Sequence, residues 1–142
     1  MNINDEESLT QIDWFRMGES DLVDAQILRD EGRTDDIGVL IHSALEKYLK
    51  GLLLGYGWKI TEQRQLAELL KAAVEYEPAL IEHGGLMKRL DRRFLTYEQK
   101  GVISEVNAYP VSEALQDAEN FIRILRRLVS SRMKTRKWHK KV

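Results

Sequence analysis

Apolar residues recur at three- and four-residue intervals through most of this chain, and no stretch shows the two-residue alternation of a half-buried strand. Two prolines and nine glycines are the only strong interruptions in 142 residues, so the period predicts helices joined by short turns. The first helix is expected from about Leu9 to Glu31, with Trp14, Gly18, Leu22, Ala25 and Leu28 on one stripe. Thr10 and Asp13 have capping-box spacing, and Gly32 is the stop. The second is expected from Thr34 as N-cap, with Asp35 and Asp36 in a first turn that favours acids, to Gly55 or Gly57. Its stripe of Ile37, Ile41, Ala44, Tyr48 and Leu52 is widened by Leu40, Leu45, Leu49 and Leu53, which predicts a central helix buried on several sides.

Thr61 is the expected cap of a third helix whose face is Leu66, Leu70 and Ala73; it ends near Glu77, because Pro78 disfavours helix in the residue before it. The stretch from Pro78 to Phe94 contains Gly84 and Gly85 and is expected to be broken. A last helix begins near Pro110 or Ser112, carries Ala114, Ala118, Phe121, Leu125 and Leu128, and continues into a basic segment of about residues 131–142. The fold expected is all-α: a single domain over residues 1–142, built as an up-and-down antiparallel bundle of four to five helices.

A mass of 16.5 kDa suits one core. Cysteine is absent, which excludes disulfides, zinc–thiolate sites, iron–sulfur clusters and a cysteine nucleophile. The start, Met1 to Glu7, is acidic where a secretory signal is basic, and the most apolar run, Tyr48 to Trp58, is broken by Lys50. The expectation is a cytoplasmic protein with no membrane partner. The net charge of −1 hides a polarised chain: residues 1–36 hold eleven acids against three arginines, whereas residues 123–142 hold nine Lys or Arg and no acid. Such a basic end can hold phosphate-rich partners, and it can equally be a solvated helix end that favours cations.

Metal binding needs several convergent His or carboxylate ligands, and His42, His83 and His139 lie in three separate segments. His42 and Glu46 stand one turn apart, but two groups do not close a site, and a His hydrogen-bonded to a nearby carboxylate inside a bundle is the simpler reading. No Glu-x-x-His pair of a di-metal bundle occurs, and Gly55-Tyr56-Gly57 lacks the third glycine of a phosphate loop, so no metal or cofactor is expected. Trp58 and Trp138 are the aromatic side chains expected to be partly exposed. The run of Lys88, Arg89, Arg92 and Arg93 reads as a solvated cationic face.

The second helix contains Glu46, Lys47 and Lys50 after a small-residue and apolar run and before Leu52, Leu53 and Leu54. With Trp14, Asp21, Leu22, Ala25 and Leu28 upstream, and Leu66, Leu69, Leu70 and Tyr109-Pro110 downstream, this order resembles the HEPN domain, over most of residues 10 to 130. The resemblance implies an up-and-down helical bundle that often dimerises. Many members of that family work beside a minimal nucleotidyltransferase, on the same chain or as a separate subunit, and are thought to bind nucleotide or substrate. Others are metal-independent ribonucleases, toxins among them, that use an Arg followed closely by a His. The chain departs from the family pattern at Ala108, where Arg is usual before Tyr-Pro, and at Arg64, where His is usual before the leucines.

The function expected is therefore a non-catalytic binding subunit for a nucleotide or substrate, in a homo-oligomer or beside a nucleotidyltransferase. Lys47, Lys50, Arg64 and Tyr109 are its candidate contacts. A Glu46–Lys50 intrahelical ion pair competes with that role for Lys50. The alternatives are an RNA-cleaving enzyme using Arg132 and His139, the one formal Arg-to-His match, and an interaction bundle whose acidic first helix and basic last helix set the pairing between subunits.

Overall fold

A capping box starts the bundle. In the computed structural model, which describes residues 9–95 and 109–135, the Asp13 amide donates to the Thr10 hydroxyl at 3.2 Å, and the Thr10 amide donates back to the Asp13 carboxylate at 2.9 Å. The Thr10 amide, and the Thr10 hydroxyl that donates to the same carboxylate oxygen at 3.0 Å, hold the Asp13 carboxyl below the usual carboxylate range. The helix they open, α1 (Gln11–Asp30), ends before Gly32, whose φ of +74° is the left-handed turn expected of a glycine stop. The N-cap of the second helix, α2 (Ile37–Gly55), is Asp36, two residues later than the Thr34 predicted, and it makes no side-chain cap bond.

Helices α1 and α2 form an antiparallel hairpin whose close approach rests on small residues. A Cβ on Gly18 would stand 2.8 Å from the Tyr48 ring, and one on Gly51 would stand 2.6 Å from the Phe15 ring. The central helix is buried as expected: Ile41, Leu45, Leu49, Leu52 and Leu53 are all at most 1% exposed. Each such side chain contributes roughly 1.5–3 kcal/mol relative to solvent exposure.

The third helix, α3 (Leu66–Val74), is shorter than predicted and does not begin at Thr61. The Thr61 hydroxyl instead accepts the Gln63 amide at 3.2 Å in a local turn, and the residues from Tyr56 to Gln65 return alongside the bundle without regular structure. The cap of α3 comes from far along the chain: Asp91 accepts the Leu66 amide at 2.8 Å and the Ala67 amide at 3.0 Å. The stretch predicted to be broken is a 3₁₀ segment (Pro78–His83), a short helix α4 (Gly84–Leu90) and a π turn (Asp91–Leu95). The last helix, α5 (Val111–Thr135), lies antiparallel to α1, since Glu119 meets Gln26 while Arg126 meets Glu19. Its Ala114, Leu115, Ala118, Phe121, Ile122 and Leu125 complete the core. Five α-helices and no strand occur among the described residues, an all-helical bundle. No described helix is long and apolar enough to cross a membrane.

Candidate functional site

The Glu-Lys-x-x-Lys segment of α2 places its two lysines in different surroundings. Lys50 is 4% exposed; its ammonium donates to Glu46 Oε2 at 2.9 Å and lies 5.9 Å from the centre of the Trp14 ring. Arg64 reaches the same carboxylate from the return segment, with Nε 3.6 Å from Oε1 and a side chain 63% exposed. Lys47 turns toward α1, where Asp21 Oδ2 accepts both its ammonium and the Ser43 hydroxyl at 2.7 Å. Tyr109 stands apart at the entry to α5: its hydroxyl donates to Asp117 at 2.7 Å, the Arg89 guanidinium stacks 4.0 Å from its ring centre, and Arg93 Nε donates to its carbonyl. Burial and the Asp117 acceptor push the Tyr109 phenol pKa well up. Of the four candidate contacts, Lys50 and Arg64 converge on one carboxylate, Lys47 takes another, and Tyr109 joins neither.

An open groove of about 480 Å³ lies between α1 and α5, lined in part by Ile12, Phe15, Arg16, Tyr48, Arg126 and Ser130. Phe15 and Tyr48 stack with ring centres 5.8 Å apart and make its aromatic wall. The Tyr48 hydroxyl donates to Glu19 at 2.7 Å, and Arg126 bridges from α5 to both that carboxylate and the phenol oxygen. Burial, then the Glu19 acceptor, pushes the Tyr48 pKa up to about 12, so the wall is neutral at ordinary pH. Arg16 is exposed on the rim and makes no salt bridge among the described residues. A flat apolar ring fits the wall, and an anion attached to it would meet Arg16. None of the four sequence candidates lines this groove. The Glu19–Arg126 contact joins the first helix to the last, and no local motif announces it.

The other charged groups are differently placed. Arg132 donates from Nε and Nη2 to the two oxygens of Glu77 at 2.6 and 2.8 Å, and the Tyr56 hydroxyl donates to the same carboxylate. His139, its partner in the ribonuclease alternative, lies outside the described residues, as does Trp138. Trp58 is half-buried against the core. His42, 3% exposed, does bond a carboxylate, but Asp91 supplies it at 2.8 Å. His83 and Arg89 line one pocket of about 260 Å³, but His precedes Arg in the chain, the reverse of the Arg-to-His order. The basic run is not simply solvated: Arg89 stacks on Tyr109, and Arg93 stacks on Phe94. Among the described residues, no three His, Asp or Glu side chains gather where they could hold a metal ion.

Comparison with curated proteins and with solved structures gives no match. Among protein families, the model of the HEPN domain matches residues 12–129, from the first turn of α1 to the sixth turn of α5. That span takes in the Glu46–Lys50 lock, the α1–α2 hairpin and most of the residues around the groove, and by it the chain belongs to the HEPN domain family.

Proposed function

We propose that this chain is a non-catalytic binding subunit that holds a nucleotide, or a substrate bearing one, and works with a separate minimal nucleotidyltransferase. The base packs against Phe15 and Tyr48 in the α1–α5 groove, and Arg16 meets the phosphate. The observation that carries this reading is an exposed arginine, without a salt bridge among the described residues, on the rim of an aromatic-walled groove. Lys47 and Arg64 reach solvent and offer further cations to a phosphate chain or to the partner. Lys50 serves by fixing Glu46, and Tyr109 by ordering the start of α5 around Asp117. The two-bond hold of Glu77 on Arg132 supports a role without RNA cleavage, because a cation stabilising a phosphorane has to offer those same N–H groups to it.

Calorimetric titration with ATP, and with adenosine as the uncharged control, tests the proposal. The expected result is binding of ATP that weakens roughly tenfold in Arg16→Ala, the loss of one charge-assisted bond of about 1.5 kcal/mol. A smaller loss is expected in Lys47→Ala. Absence of ATP binding by the unaltered protein overturns the assignment.

A further inference from the structure

The end of the α1–α2 hairpin opposite the groove carries a mouth of about 560 Å³ between the two helices. Its apolar part is exposed: Ile27 is 48% and Val39 54% accessible, with Leu28 and Leu40 beneath them. Its rim is acidic. From Asp24 to Asp36 the chain holds five acids against two arginines, and Asp24, Glu31 and Asp36 line the mouth itself. Arg33 also lines it, 3.7 Å from Glu31, so three acids stand against one cation. An apolar patch with a net acidic rim fits a segment of opposite charge with an apolar anchor. The sequence contains such a segment: residues 134–142 hold five Lys or Arg, no acid, and Trp138.

Chain geometry decides which copy can deliver it. Helix α5 runs antiparallel to α1, with Glu119 level with Gln26 beside the mouth and Arg126 level with Glu19. From Glu119 to Thr135 the helix climbs about 24 Å away from the mouth at 1.5 Å per residue. Trp138 is three residues farther on, and these span at most about 11 Å even if fully extended. Trp138 therefore cannot return to its own mouth. A second copy turned end for end presents its basic segment there, and the two-fold relation makes the two contacts identical and closes the assembly.

We propose that the Ile27–Val39 mouth binds the basic segment 134–142 of a second copy, with Trp138 on the apolar floor and lysines facing the acidic rim. This pairing is independent of nucleotide binding, since the mouth and the groove share no residue.

The chain has no cysteine, so introduced pairs report proximity without background. Mixing Val39→Cys protein with His139→Cys protein under mild oxidation is expected to give a disulfide-linked dimer of the two variants at 0.1 M salt, and at least tenfold less of it at 1 M salt. Analytical ultracentrifugation supplies the second arm. Asp24→Lys with Asp36→Lys should weaken the dimer at least tenfold, and adding Lys137→Glu with Lys140→Glu should restore it. Asp24 and Asp36 are both exposed, and circular dichroism checks that every variant remains helical. A protein that is monomeric at all salt concentrations, a dimer indifferent to the charge reversal, or a reversal that is not rescued overturns the proposal.

Discussion

Lys50 and Lys47 stand three positions apart on one helix, yet their environments give their ion pairs unequal weight. Removing the Lys50 ammonium leaves Glu46, 17% exposed, with only a solvent-facing Arg64, so Lys50→Ala is expected to cost about 3 kcal/mol in urea unfolding. The double variant Lys50→Met, Glu46→Gln should recover most of that loss, because it removes both charges at once. Lys47→Ala should cost only about 1 kcal/mol, since that pair is partly solvated. A pH dependence follows from the phenols. Tyr48 and Tyr56 both sit near 12 in the folded protein, raised first by burial and then by the Glu19 and Glu77 acceptors. An unfolded tyrosine releases its proton near pH 10, so the folded state binds more protons above that pH. The stability from holding these phenols neutral is complete below about pH 10 and is lost as pH rises through 12. Alkaline unfolding monitored by circular dichroism should therefore show a flat stability up to about pH 10 and a decline beyond it.

At the scale of elements, Asp91 is the residue whose loss should be felt farthest from its own position. It caps α3 through two amides and bonds the buried His42 ring, so Asp91→Ala combines a lost cap with a stranded imidazole. The expected cost is about 3 kcal/mol, against a few tenths for Thr61→Ala, measured by thermal or urea unfolding. Gly18→Ala should cost about 1–3 kcal/mol, because its methyl meets the Tyr48 ring and the Ala44 carbonyl across the hairpin. These cases explain what the sequence made legible. The start of α1 could be read because Thr10 and Asp13 are three residues apart and each side chain accepts the other's amide. The start of α3 could not, because its cap lies in another segment of the chain, and Thr61 spends its hydroxyl on Gln63. The buried stripes of α2 and α5 were legible because helical periodicity alone dictates them.

Over the whole molecule, the bundle follows from periodicity, and family membership follows from the order of motifs that the HEPN model spans. The candidate groove does not, because Phe15, Tyr48 and Arg126 come from three helices and meet only once α5 has folded back along α1. Charge polarisation was visible in the sequence, and the structure adds that the acidic hairpin end surrounds exposed Ile27 and Val39. With Arg132 held by Glu77, the unaltered protein and His139→Ala should both leave a single-stranded RNA substrate intact in a cleavage assay. The most direct test of the account is an amide-resolved NMR titration of the full chain with ATP. It predicts saturable shifts clustered at the residues around Arg16, Glu19, Tyr48, Arg126 and Ser130, with smaller ones at Lys47. Shifts clustered at His83, Leu86 and Arg89, or none at any position, would contradict it.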